Sequence, residues 1–149
     1  MERLEFIEKL SKRIELVGYE EPECIKKLEN YSKKVGIGIP EDYRKILGLG
    51  ADMEMLVGDE GYIRVWGAEG CVEMNEIYYI QEDIPVSLAI ADDGGGGCLV
   101  YLDGNEGYGL YYLRYEDLDV DEATYIAPNL TDMIFKGEGI DIWVKGGEN

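Results

Sequence analysis

Asp92 and Asp93 stand directly before four consecutive glycines, Gly94 to Gly97. Glycine-rich loops gather backbone N–H groups and can cradle a phosphate. The setting here opposes that chemistry. Two acids precede the glycines, no Lys-Ser/Thr pair follows, and Cys98 to Leu102 reads as a strand rather than a helix. A cation is the next possibility, since Asp92, Asp93, Asp103, Asn105 and Glu106 are all oxygen donors. Asp103-Gly104-Asn105 opens like a calcium loop, but the later acid, glycine and closing Glu are missing from their places. The expectation is therefore no metal and no cofactor. The glycines read first as a turn needing positive φ, and second as a loop offering carboxylates to a partner.

Covalent catalysis has few candidates. The chain contains no histidine, which removes Ser-His and Cys-His mechanisms together. The three cysteines, Cys24, Cys71 and Cys98, form no CxxC pair, so neither a zinc cluster nor a disulfide framework is expected. Unpaired thiols suit a reducing, cytoplasmic setting. Ser11, Ser32, Ser87, Thr124 and Thr131 lie outside any nucleophile-elbow pattern. Carboxylates abound, as acid/base hydrolysis needs, but so acidic a chain brings them together without catalytic demand. The sequence reads as a non-enzyme.

Binding chemistry is better represented. Residues 1–47 carry ten Lys/Arg and ten Asp/Glu, whereas residues 48–149 carry four and 22, which places the whole net charge of −18 in the later part. Such a surface repels nucleic acid and anionic membranes and attracts a basic protein. The same part is rich in tyrosine: Tyr101, Tyr108, Tyr111, Tyr112 and Tyr115 fall within one predicted hairpin. Tyrosine favours strands, and it also anchors protein interfaces. Adjacent strand residues face opposite sides, so Tyr111 and Tyr112 are not both expected in the core. The candidate partner-binding residues are Trp66, Glu69, Asp92, Asp93, Asp103, Glu106, Tyr108, Tyr111 and Tyr112.

These residues need a frame. Leu4, Ile7, Leu10, Ile14 and Val17 recur every three or four positions and predict an amphipathic helix over 2–17, ended by Gly18. Glu20 to Val35 reads as a second helix with Pro22 in its first turn. Pro40 to Leu47 reads as a third, with Ile39, Tyr43, Ile46 and Leu47 on one face. Residues 51–58 fit either a strand or an irregular connection. Strands are expected at Tyr62–Trp66, Val86–Ala91, Gly97–Leu102, Tyr108–Tyr115 and Ala123–Ile126, with a short helix at Glu69–Tyr79. Asp103 to Gly107 reads as a five-residue hairpin loop, and Asn129 as the cap of a last helix ended by Gly137. Ile140–Val144 reads as an apolar tail, and residues 145–149 as a frayed end. At 149 residues, with no apolar run long enough to span a bilayer and no secretory signal, the expectation is one domain.

Four segments share a further likeness. Ile39-Pro40-Glu41-Asp42-Tyr43-Arg44-Lys45-Ile46-Leu47, Val65-Trp66-Gly67, the pair Ile90–Gly95 and Val100–Asp103, and Ile126-Ala127 leading into Asn129–Gly137 follow one another in a recognisable order. In this order they resemble the SUKH superfamily, also called the yeast cell-wall-assembly regulator-like family. The resemblance covers about residues 20–139. It implies an α+β domain with a mostly antiparallel or mixed sheet of five or six strands, N-terminal helices and a short C-terminal helix packed on it. It also implies a protein partner. Many bacterial members are immunity proteins that neutralise toxin domains, often nucleases, while others are regulatory scaffolds. No catalytic residue follows from it. Four glycines and so tyrosine-rich a hairpin depart from the family pattern.

Overall fold

The computed structural model describes residues 1–148. In chain order the elements are α1 (Arg3–Lys9), β1 (Ile14–Glu20), α2 (Lys26–Lys34), α3 (Glu41–Leu47), β2 (Ala51–Val57), β3 (Gly61–Val65), α4 (Ala68–Ile77), α5 (Ile80–Asp83), β4 (Leu88–Asp92), β5 (Gly97–Gly104), β6 (Gly107–Arg114), β7 (Thr124–Ala127), α6 (Leu130–Lys136) and α7 (Ile140–Val144). The strands form one sheet in the order β1-β2-β3-β4-β5-β6-β7, every neighbour antiparallel. The architecture is the expected α+β domain, with seven strands in place of five or six.

The seventh strand comes from a segment read as helix, and residues 51–58, read as either a strand or an irregular connection, supply another. Residues 14–17, expected at the end of the first helix, begin β1 and pair with β2 about forty residues away, Ile14 opposite Val57. Gly18, expected as a helix stop, lies inside that strand beside a register shift. The shortened α1 also buries a different residue: Phe6 is fully buried, while Leu4 and Ile7 face solvent. Residues 51–57 form β2, with Met53, Met55 and Val57 buried and Glu54 and Leu56 exposed. The second helix is confined to Lys26–Lys34, leaving Pro22 ahead of it.

The middle of the sheet is covered on both faces. All five residues of β4 are buried, as are Cys98 to Leu102 of β5 and Gly109 to Leu113 of β6. Tyr111 and Tyr112 are both almost fully buried, which overturns the expectation that one is exposed. The reason is a second layer. Tyr112 packs edge-on to Trp143 of α7, and Tyr111 packs edge-on to Tyr125 of β7. The segment read as an apolar tail is thus a helix, and it covers the sheet. Gly146 and Gly147 bond back to the carbonyls of Trp143 and Ile142, within the end expected to fray. Asn149 lies outside the described residues. The β5–β6 connection is tighter than expected, because Gly104 pairs with Gly107 and only Asn105 and Glu106 lie between them.

The third helix explains why its motif carries a fold. Asp42 accepts hydrogen bonds from the Tyr101 hydroxyl and from the backbone N–H groups of Leu130 and Thr131, at 2.6–3.2 Å. It therefore ties α3 to β5 and to the first turn of α6, where a carboxylate suits the helix dipole. Tyr43 donates its hydroxyl to the Trp66 carbonyl at 2.6 Å. Asn129 caps α6 as expected, accepting from the Asp132 N–H at 2.8 Å.

Candidate protein-docking face

The glycine loop joins β4 to β5, and three of its four glycine amides are already occupied. Gly94 N–H donates to Asp92, and Gly95 and Gly97 N–H donate to Asp93, all at 2.8–2.9 Å. The two acids before the glycines fill the nest that a phosphate would need. Gly94 and Gly96 adopt positive φ, which glycine takes without steric cost. Gly97 has no room for a Cβ, because the Tyr112 hydroxyl and the Asp93 carboxylate occupy that space. Arg114 closes the loop from β6, donating to the Gly95 carbonyl at 3.1 Å and to the Tyr112 hydroxyl at 3.2 Å.

Asp92 points the other way, into a buried corner. One carboxylate oxygen accepts from the Trp66 indole at 2.6 Å and from Arg64 at 3.0 and 3.2 Å. Arg64 and Asp92 are cross-strand partners, so the register of β3 on β4 brings them together. Partial burial works against the Arg64 charge, but the adjacent Asp92 carboxylate outweighs it and the guanidinium pKa rises. Trp66 and Asp92 are both buried, so neither offers a side-chain surface to a partner.

The nine candidate residues do not form one patch. Trp66, Asp92, Asp93 and Tyr112 gather at the glycine-loop end of the sheet, with Tyr112 donating to Asp93 at 3.1 Å. Asp103, Glu106 and Tyr108 lie at the other end of β5, whose eight residues span about 25 Å. Tyr111 is buried and holds the turn there, donating to the Gly107 carbonyl and accepting from Glu106 N–H. Tyr108 is exposed and stacks on Tyr101, with ring centroids 5.9 Å apart. Glu69 is in a third place. It opens α4, where its N–H donates to Glu23 at 3.2 Å. Burial raises the Glu23 carboxyl pKa, and the charges of Glu69 and Asp52 raise it further, while the Glu69 N–H bond lowers it.

One open surface went unnoticed in the sequence. Along β2, Asp52, Glu54 and Leu56 alternate with buried Met53, Met55 and Val57. Leu56 lies between Glu15 and Tyr62, and Glu54 between Gly18 and Arg64, so these residues share a face. Glu15, Val17, Glu54 and Leu56 are all exposed there. The Tyr62 hydroxyl donates to Glu54 at 2.6 Å. Its pKa is pushed up to about 12 by desolvation and by that carboxylate. The period-two pattern of 51–57 was the available signal, but it needed the strand assignment first.

Among the described residues, no group of three or more His, Cys, Asp or Glu side chains is placed to hold a metal ion, and no helix is long and apolar enough to cross a membrane. The open surface of β1, β2 and β3 carries acids, a held tyrosine and exposed aliphatic side chains.

Comparison with known proteins agrees with this character. The chain is 25% identical over 130 residues to a Bacillus subtilis (strain 168) protein described as "Uncharacterized protein YnaB", a match covering 84% of this chain and 85% of that one. At the family level, residues 25–136 match the SMI1 / KNR4 family (SUKH-1). That span runs from the start of α2 to the end of α6 and includes Asp42, Tyr43 and Tyr101, whose hydrogen bonds tie α3 to the sheet and to α6, and Asn129, which caps α6. With three quarters of its length matched in this way, the chain belongs to the SMI1 / KNR4 family (SUKH-1).

Proposed function

We propose that this protein is a non-enzymatic immunity protein that binds a basic bacterial toxin domain in the cytoplasm and neutralises it. Family membership supports a protein-interaction module in general. The observation that carries the finer reading is the segregation of charge, with −18 in residues 48–149 and none in residues 1–47. The few cations in the acidic part do little to break its field. Arg64 is paired with Asp92, Arg114 with Glu116, and Lys136 with Asp132. A basic toxin would be drawn to this surface, and covering the toxin would deny it nucleic acid.

The test is co-expression with the basic toxin encoded beside this chain. Restored growth, and a complex that survives gel filtration at low salt and dissociates as salt rises, are the expected results. Continued killing with no complex defeats the reading. Recovery of housekeeping proteins from native lysate, with little salt dependence, would favour a regulatory scaffold instead.

A further inference from the structure

We infer that the basic partner seats on the uncovered face of β1, β2 and β3, with Val17 and Leu56 as its apolar contacts and Glu15 and Glu54 as its ionic ones. This rests on the reading that the chain binds a basic protein, and it adds the place. The central strands are buried on both sides, whereas β2 is buried on one side only. On its open side Leu56 is 46% exposed and lies opposite Glu15, and Val17, 52% exposed, stands two residues along β1 from Glu15 at the register shift. Arginine and lysine match that pattern, since an apolar stem can lie on the aliphatic side chain while the charge meets the acid. Tyr62 is held by Glu54, so its ring is presented with little entropy left to lose. Arg64, a cation on this face, is neutralised by Asp92.

The competing surfaces fit less well. The cavity of about 560 Å³ between Tyr101, Tyr108, Pro128 and Phe135 contains Asp42, but that carboxylate is taken by Tyr101, Leu130 and Thr131. The exposed Leu4 and Ile7 lie on α1, where Arg3 and Lys9 balance Glu5 and Glu8 and leave no acidic excess for a basic partner. Helix α2 carries Lys26, Lys27, Lys33 and Lys34, the wrong sign for a basic partner. The two register shifts in β1 break its outer edge, which favours docking on the face over strand addition.

The test uses the full chain and two probes at low salt: nona-arginine, and an amphipathic helical peptide of arginine and leucine with the same charge. Backbone amide shifts in an NMR titration should centre on Glu15, Val17, Glu54, Leu56 and Tyr62. The amphipathic peptide should bind at least tenfold more tightly than nona-arginine. Val17→Ser with Leu56→Ser should abolish that gain, and Glu15→Gln with Glu54→Gln should weaken both probes. Asp103→Asn with Glu106→Asn, at the far end, should change neither. Equal affinity for the two peptides, or shifts centred on Asp103–Tyr108, overturns the proposal. So does a gain that survives Val17→Ser with Leu56→Ser. Failure of toxin rescue with this footprint intact removes the toxin reading and leaves the docking face standing.

Discussion

Single side chains separate structural acids from those available for binding. Asp92 accepts from Arg64, Trp66 and Gly94. An amide in its place turns one oxygen into a donor facing donors. Breaking a fully buried pair costs about 3–5 kcal/mol and an exposed one under about 1, and Arg64 is 40% exposed. Asp92→Asn should therefore cost about 2 kcal/mol in urea unfolding, and by leaving the Arg64 charge uncompensated on the docking face it should also weaken the binding of basic peptides. Tyr115 is the reverse case. Its hydroxyl is buried without a hydrogen-bond partner, and its ring stacks on Tyr78 at 3.7 Å. Removing an unsatisfied polar group recovers desolvation free energy, so Tyr115→Phe should raise stability by about 1 kcal/mol. The melting temperature should then rise by about 2–4 °C, and a fall would mean the hydroxyl has a partner. The thiols give a pH dependence. Burial pushes Cys71 up to about 12 and raises Cys98 as well. The folded state then holds these protons after the unfolded chain has lost them. Stability is full below about pH 8.5 and falls as pH rises from there toward the folded values, by about 1.4 kcal/mol per pH unit for each thiol. Chemical denaturation at pH 7, 9 and 10 checks the sign, and a flat profile would contradict it.

At the scale of elements, α4 and β4 are joined by one polar side chain. Asn75 on α4 donates to the Ala89 carbonyl at 2.8 Å and accepts from the Ala89 N–H at 3.0 Å, as a neighbouring strand would. Its remaining capacity is met by the Cys71 carbonyl and by Gln81. The strand needs this help because β4 pairs irregularly on β5, with a register shift between Ala89 and Ala91. Asn75→Ala leaves the Ala89 N–H without its side-chain partner in the core and the Ala89 carbonyl with the weak Cys71 thiol donor at 3.3 Å, and should cost about 2 kcal/mol. Hydrogen exchange should show the loss concentrated in β4 and α4. In the sequence Asn75 falls on a short expected helix, where only loose periodicity marks it. Nothing local distinguishes an asparagine that faces a strand from one that faces water.

Across the whole molecule, charge has the widest reach. Like charges spread over one part of a fold repel, and screening relieves the repulsion. The Debye length falls from about 30 Å at 0.01 M salt to about 8 Å at 0.15 M. The melting temperature should thus rise by several degrees between 10 mM and 0.3 M NaCl, read by calorimetry, while association with basic peptides weakens. A protein stabilised mainly by its surface ion pairs would lose stability over the same range.

How much of the fold and the site was legible in the chain depended on how local the determinants are. Pro40 to Leu47 and Asn129 to Gly137 carry their own starts, stops and periodicities and folded as read, and the three strands expected between Val86 and Tyr115 formed, with a shorter β4 and a tighter hairpin turn. The ordered motifs also pointed to the right family, and they contain Asp42, Tyr43 and Tyr101, which tie α3 to the sheet, and Asn129, which caps α6. The absence of histidine and the segregation of acid are properties of composition, which folding does not alter. Pairing decided the rest. Leu10, Ile14 and Val17 satisfy helical spacing as well as Ile14 and Leu16 satisfy strand alternation, and only β2, distant in sequence, made Ile14–Glu20 a strand. The burial of Tyr112 required Trp143 from the far end of the chain. The separation of Asp93 from Asp103 by one extended strand, and of Glu69 on α4 from both, divided the candidate site. Residue type and spacing determined which elements form and where charge lies along the chain. Contacts between distant segments decided which faces stay open, because burial belongs to the assembled layers and not to any one segment.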